Sequence, residues 1–386
     1  MTRAASSKPR VLFVINSLAG GGAERVMLAL LAASADMREH YEFSLALLDR
    51  EPPAYRPPEW LQVHQLDGRS SLARSAAQFV QLAMRERPDV TLSFLTRSNM
   101  VSVIAAKALR HKAIISERAN TSGHFKPGAS GEVAKRLIRA LYPRADAVIA
   151  VSRGIADDLR DNFRVVEARL SVIANPVDGE AIRAATEQQP AVASNRPYLV
   201  AVSRLTRGKN VAMIVDALAR ARSYLDLLIL GQGPEREAIE ARMAELGLAG
   251  RVRLCGFQEN PYAIMAGARA YVSASNGEGF PNGLVEALAL GLPVVATNCA
   301  SGPSEILADR RREEVRELTV APYGVLVPPN DPDALARGIE LATAPDLHAR
   351  LAAASPARAA EYGTERAKAA YWGEIERALG KSARPA

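Results

Sequence analysis

Cysteine is nearly absent. The 386 residues contain two, Cys255 and Cys299, too few for a disulfide framework or, by themselves, a zinc site. Both adjoin strand-like runs, which predicts buried free thiols in a reducing compartment. Histidine is scarce as well: His40, His64, His111, His124 and His348 show no metal-ligand spacing. Only His124, in the loop ERANTSGHFKPG, stands after a strand where it can meet a substrate. Long apolar runs are also missing. VMLALLAASA is too short to span a bilayer, and the polar opening MTRAASSKPR leads straight into VLFVIN, which argues against a secretory signal. No fixed-period repeat marks a solenoid. A cytoplasmic protein is expected.

What is present is an ordinary globular composition, 48% hydrophobic and 24% charged, with a net charge of +7. The length suffices for two domains with full cores. The basic balance suits anionic partners (phosphates, nucleic acid or an acidic membrane face) and equally a solvated surface with no partner.

Short apolar runs alternate with helical patterns throughout. VLFVIN (11–16), FSLALL (43–48), VTLSFL (90–95), AIIS (113–116) and AVIAVS (147–152) read as buried strands. A Pro-, Gln-, Ala- and Ser-rich stretch at 174–197 then reads as a linker with room for one short helix. A second series follows: YLVAVS (198–203), LDLLIL (225–230), VRLC (252–255), AYVSAS (270–275), PVVATN (293–298) and YGVLVP (323–328). Strands separated by helices imply βαβ units and parallel sheets, hence two α/β domains. Domains over 1–180 and 190–363 are expected. The tail 364–386 opens with a helical pattern that places Ala370, Tyr371 and Ile375 on one face, and it is expected to pack back on the first domain near the junction.

Several turns carry candidate chemistry. LAGGGAERV (18–26) is a glycine-rich turn between a strand and a helix, able to hold a phosphate on free N–H groups or simply to turn tightly. GQGPER (231–236) is a second such turn. In both, arginine (Arg25, Arg236) occupies the third-glycine position of the dinucleotide fingerprint, which disfavours a nicotinamide dehydrogenase. SRLTRGKN (203–210) sets Arg204 and Lys209 before a helix starting near Asn210. The pair would neutralise a diphosphate or form a solvated basic loop.

EGFPNGLVE (278–286) holds two acids, Glu278 in a loop and Glu286 in the first turns of a helix marked by Pro281 and Asn282. A folded-back loop brings both toward one crevice; stabilisation by the helix dipole is the structural alternative. SGPSEIL (301–307) reads as a turn entering a helix, with Ser301 or Ser304 as its cap. Asp331 and Asp333 in NDPDAL read as an N-cap with an acidic first turn, so no catalytic metal or other cofactor is expected. The basic helix SGEVAKRLIRALYPRADAV (130–148) presents Lys135, Arg136 and Arg139 beside an apolar stripe of Leu137, Ile138, Leu141 and Tyr142. It could face anionic lipid or a lipid diphosphate, or be a core helix with a charged outer face.

Together these residues resemble the retaining GT-B glycosyltransferases of family 4, also called glycosyl transferases group 1. The resemblance rests on Glu278-x7-Glu286 within SNGEGFPNGLVEALALGLPVVAT, on SRLTRGKN, GQGPER and the GGGAER turn, and on NPVD (175–178), in that family's order and spacing. It spans nearly the whole chain and is strongest in the second half. It implies two facing Rossmann-like domains with a nucleotide-sugar in the cleft, the first domain serving the acceptor. Carried over by position, Arg204 and Lys209 would hold the donor diphosphate, Glu286 the ribose hydroxyls and Glu278 the sugar hydroxyls, near the backbone of Gly279 and Phe280. Gly20, Gly21 and Gly22 would approach the diphosphate or sugar, and Gly231 and Phe257 would frame the base. Many relatives carry a histidine after the strand written here AIISERAN. This chain has Glu117 and Arg118, so Arg118 or His124 is the candidate for that electrostatic task, and Lys135, Arg136 and Arg139 are candidates for the acceptor.

The expected activity is metal-independent, retaining transfer from a nucleotide-sugar, preferably a UDP-sugar such as a UDP-N-acetylhexosamine. The expected acceptor is a lipid-linked or cell-surface polysaccharide precursor at the inner face of the membrane. Nucleic acid is not an expected partner. The competing readings are a GDP-mannose-dependent mannosyltransferase, a glycoside hydrolase using Glu278 and Glu286, and a non-catalytic nucleotide-sugar-binding module.

Overall fold

RVLFVI forms β1 (Arg10–Ile15), and every residue after Arg10 is buried, as expected of a strand covered on both faces. It is the third strand of a seven-stranded sheet with β2 (Glu42–Leu47), β3 (Gln62–Gln65), β4 (Val90–Phe94), β5 (Lys112–Glu117), β6 (Ala147–Ala150) and β7 (Leu170–Val172). The order is β3-β2-β1-β4-β5-β6-β7, and every pairing is parallel. The order reverses between β1 and β4, the place where open α/β sheets leave a crevice at the strand ends.

The computed structural model describes residues 8–125, 128–192 and 194–381. Contacts divide it into two units, Met1–Pro176 with Thr364–Ala386, and Val177–Gly363. The second unit repeats the plan: β8 (Tyr198–Val202), β9 (Asp226–Leu230), β10 (Val252–Leu254), β11 (Ala270–Ser273), β12 (Val294–Thr297), β13 (Thr319–Ala321) and β14 (Gly324–Val327) lie in the order β10-β9-β8-β11-β12-β14-β13. Only β13 runs antiparallel within that sheet. Inside 174–197, read as a linker, Asp178 caps a helix over Gly179–Ala185 by accepting the Ala181 N–H at 2.9 Å. That helix packs on the helices Tyr262–Ala266 and Asn282–Ala289.

The C-terminal helix, Thr364–Ala378, buries Tyr371, Trp372 and Ile375 in the same core as Phe13, Leu45 and Phe94. The Trp372 indole N–H donates to Ser34 Oγ at 2.7 Å, which satisfies the one polar atom that ring carries inward. Two expectations need correction. Ala370 is exposed, and Ala367 holds the buried position one turn earlier, because the buried face is centred on the two aromatic rings. Cys299 is buried but Cys255 is only half-buried, since it sits just beyond the short edge strand β10. Among the described residues no helix is long and apolar enough to cross a membrane.

Candidate functional site at the strand ends

In the second unit the chain leaves β8 through Ser203 and Arg204, makes a single 3-10 turn at Arg207–Lys209, and enters the helix Val211–Arg220. Asn210, at φ 47°, is the left-handed hinge between the two. This loop is fixed by the neighbouring glycine turn. Leu205 N–H donates to Gln232 C=O and Glu235 N–H to Leu205 C=O, each at 3.0 Å. A Cβ on Gly231, whose φ is +142°, would stand 1.9 Å from Ser203 O, and one on Gly233 would stand 2.3 Å from Leu205 O. Both glycines therefore admit the backbone of the Arg204 loop. The Gly231 N–H is spent on Gly256 C=O at 2.7 Å. Phe257, next in line, is 65% exposed.

Lys209 reaches Glu278, with Nζ 2.5 Å from Oε1. Arg204 is exposed, and its side chain makes no hydrogen bond or ion pair among the described residues. Glu278 and Gly279 belong to the loop after β11, and Pro281 starts the helix Asn282–Ala289. Glu286 is buried within that helix. The Phe280 ring is buried edge-on against Tyr362, with centroids 5.3 Å apart, which pins the loop.

Both acids act on one buried phenol, Tyr271. The buried Tyr271 phenol is pushed well above the ordinary tyrosine range by burial first, then by the charges of Glu278 and Glu286. Its O–H donates to Val202 C=O at 3.4 Å. A Cβ on Gly283 would meet that oxygen at 2.8 Å. Burial and then Glu278 push the Cys299 thiol up to about 12, with Lys209 acting the other way. Tyr271 and Cys299 thus both feel the charge of Glu278. Spacing alone could not mark either one, because Tyr271 lies in β11 and Cys299 just past the end of β12, in ordinary apolar sequence.

The turn 301–307 departs from expectation. Neither serine caps its helix, Pro303–Ala308. Gly302, at φ +97°, is the N-cap, its N–H donating to Glu305 Oε1 at 3.4 Å. Ser301 Oγ instead donates to Glu278 C=O, and Ser304 Oγ is buried without a partner among the described residues. Asp331 caps the helix Pro332–Thr343 by accepting the Ala334 N–H at 2.8 Å. Asp333 pairs with Arg220 at 2.9 Å.

In the first unit, Gly20 (φ +109°) and the extended Gly21 lead into the helix Gly22–Ala33. The Glu24 carboxylate lies over Gly21, 2.4 Å from where a Cβ would stand. Arg118, after β5, is directed inward to Ser116, Tyr371 and Asn175. Glu117 is 1% exposed and accepts the Tyr142 O–H at 2.5 Å. His124 ends the one-turn helix Thr121–His124; its side chain lies outside the described residues.

The basic helix spans Ala129–Leu141 and gives way to a 3-10 turn at Tyr142–Arg144. Its expected apolar stripe splits: Ile138 and Tyr142 are buried, Leu141 is half-buried, and Leu137 is exposed together with Val133 one turn before it. Tyr142 is drawn in by Glu117, and Val133 and Leu137 fall on the opposite flank. Arg136 is exposed. Lys135 pairs with Glu132 at 3.4 Å. Arg139 Nε donates to Asn162 C=O at 2.9 Å and its guanidinium lies over Phe163.

The chain was compared with known proteins. The profile of the glycosyl transferases group 1 matches residues 183–363, and that of Glycosyltransferase Family 4 matches residues 20–181. A Campylobacter jejuni relative is 32% identical over 76% of this chain and 82% of its own length; it is an N-acetylgalactosamine-N,N'-diacetylbacillosaminyl-diphospho-undecaprenol 4-alpha-N-acetylgalactosaminyltransferase. The lipopolysaccharide core biosynthesis glycosyltransferase LpsE of Rhizobium meliloti is 26% identical over 70% of each chain. Among solved structures, Anabaena HepE in complex with UDP superimposes with a TM-score of 0.77 at 20% identity, over 95% of this chain and all of that one. Two family profiles that together span most of the sequence, and a fold shared across its length, place this chain in family 4 of the glycosyl transferases, group 1: it is a glycosyltransferase of GT-B fold.

Proposed function

We propose that the chain transfers a sugar from a UDP-sugar, a UDP-N-acetylhexosamine in the first instance, to a lipid-diphosphate-linked glycan or a related surface-polysaccharide precursor, with retention at the anomeric carbon. The observation that carries this reading is the meeting with Glu278 of Lys209, on the same loop that carries the exposed, uncommitted Arg204. When the anomeric C–O bond breaks, negative charge gathers on the departing diphosphate and positive charge on the sugar. Arg204 and Lys209 are the groups to stabilise the first. Glu278 is the group to hold the sugar hydroxyls and to face the second, and Glu286 binds the ribose. The acceptor hydroxyl forms the new C–O bond and its proton passes to the leaving phosphate. The backbone of Gly279 and Phe280 and the exposed face of Phe257 complete the donor contacts within the second unit.

The choice of UDP follows the Anabaena complex, and the choice of N-acetylhexosamine and lipid diphosphate follows the Campylobacter relative. A lipid-linked acceptor also suits the helix Ala129–Leu141. Its exposed Val133 and Leu137 lie beside Arg136, an apolar strip with positive charge fitted to an anionic bilayer face. The first unit is then the acceptor half and the second the donor half.

The direct test is UDP release from UDP-N-acetylgalactosamine, UDP-N-acetylglucosamine, UDP-glucose and GDP-mannose in the presence of polyprenol-diphosphate glycans. Activity confined to a UDP-sugar and unchanged by EDTA fits the proposal. Free sugar from simple glycosides without nucleotide release sinks it, as does binding without turnover. Sedimentation with phosphatidylglycerol vesicles, weakening as salt rises, tests the membrane component.

A further inference from the structure

Arg118 has the wrong surroundings for a residue that waits for substrate. NH1 donates to Tyr371 OH at 2.8 Å and to Ser116 Oγ at 3.3 Å, and NH2 donates to Asn175 Oδ1 at 2.6 Å. The guanidinium lies 4.2 Å above the Phe94 ring, and Nε is buried without a partner among the described residues. The backbone beneath is equally fixed. Glu117 accepts the Arg118 N–H at 3.0 Å, the Thr96 hydroxyl at 3.2 Å and the Tyr142 phenol at 2.5 Å. A guanidinium meant to meet a phosphate keeps its fork open. Here both arms of the fork end on neutral protein acceptors.

Two of the three acceptors, Asn175 and Tyr371, have a special place in the chain. The polypeptide passes between the units twice, after Pro176 and after Gly363. Asn175 is buried immediately before the first crossing. Tyr371, fully buried, lies in the helix that starts at Thr364, directly after the second. On the second unit's side the two crossings run side by side: Val177 N–H donates to Tyr362 C=O at 2.8 Å, and Val177 bridges Gly363 in parallel. On the first unit's side they are joined through Arg118.

We infer that Arg118 is a positioning residue that clasps both crossings, through Asn175 and Tyr371, so that the two strands connecting the units move as one. Lysine cannot replace it, because a single ammonium on a flexible stem cannot span a phenol, an amide and a hydroxyl at once. The clasp itself stands on contacts within each unit; only its kinetic consequence rests on the transferase reading.

The test compares Asn175→Ala, Tyr371→Phe and Arg118→Lys by amide hydrogen exchange, donor binding and turnover. Tyr371→Phe removes one oxygen and keeps the ring in the core, so folding is retained. Each variant is expected to raise exchange at both crossings, 175–178 and 361–364, by about tenfold, the scale of one lost hydrogen bond, with exchange in β5 unchanged. The kcat is expected to fall while the UDP dissociation constant stays within about twofold. Faster exchange only in the segment that carries the substitution overturns the clasp. Full kcat in Arg118→Lys overturns it as well, because charge alone would then suffice. The exchange readout decides the matter even if no nucleotide-sugar is turned over, so a failure of the functional reading is separable from a failure of the clasp.

Discussion

Lys209 Nζ lies 2.5 Å from Glu278 Oε1, joining the loop after β8 to the loop after β11. Their side chains are 24% and 11% exposed, so the pair is shielded though not sealed. On the proposed reading, in which Lys209 meets the donor diphosphate, Glu278 competes with that diphosphate for the ammonium. Glu278→Gln frees the ammonium. UDP, which has no sugar for Glu278 to hold, is expected to bind roughly twofold to fivefold tighter, the worth of a partly exposed ion pair, while turnover of the UDP-sugar falls. Calorimetry on UDP beside steady-state rates reads both; weaker UDP binding by Glu278→Gln would remove the competition argument.

Arg204 stands in contrast. It is exposed and its side chain is uncommitted, so the fold gains little from it. Arg204→Ala is expected to leave stability within about 0.5 kcal/mol. It should lower kcat on the order of 10²–10³-fold if its charge meets the leaving group. Lys209→Ala should match that loss in rate. A melting curve and a progress curve on the same preparation settle the point, and unchanged kcat for Arg204→Ala contradicts the proposed role.

The glycine turn after β9 is expected to matter for shape. At Gly231 an added Cβ would meet Ser203 O at 1.9 Å, with φ in the left-handed half of the map. Gly231→Ala should cost about 3 kcal/mol through strain and overpacking and displace the Arg204 loop. Gly277→Ala, with nothing within 4 Å of its Cβ position, should change stability by about 0.5 kcal/mol or less. Denaturant unfolding of the two variants separates a packing glycine from a spare one.

Much of this was legible in residue order. The alternation of apolar runs and helical periods yields the parallel sheets, because buried parallel strands read as unbroken apolar runs. Three strands escape it, β3, β7 and β13, with sequences QVHQ, LSV and TVA. All three lie at sheet edges, where one face meets water and polar residues are tolerated, so the apolar signal fades. Glu278 and Lys209 are legible as types in a suitable order, yet their contact spans 69 positions and depends on how two loops fold. Arg118 shows the limit most clearly. Its type suggests electrostatics, while its partners Asn175 and Tyr371 lie 57 and 253 positions away, and no local pattern announces them.

His111 provides a pH signature independent of the site. Burial pushes its imidazole down to about 4, against a smaller upward pull from Asp146. Between about pH 4 and the ordinary histidine value of about 6.5, the unfolded chain therefore binds a proton that the folded chain refuses. Stability is full above that window and declines as pH falls through it. Asp146 acts elsewhere: burial raises its pKa, but the Ala113 N–H and Lys112 outweigh that and hold it below the ordinary carboxylate value. Its contribution is therefore lost only at still lower pH. Melting temperatures across pH 4 to pH 7.5 should decline on the acid side for the wild-type chain, and His111→Gln should flatten the upper part of that decline. An unchanged slope in the variant would assign the acid sensitivity to carboxylates alone.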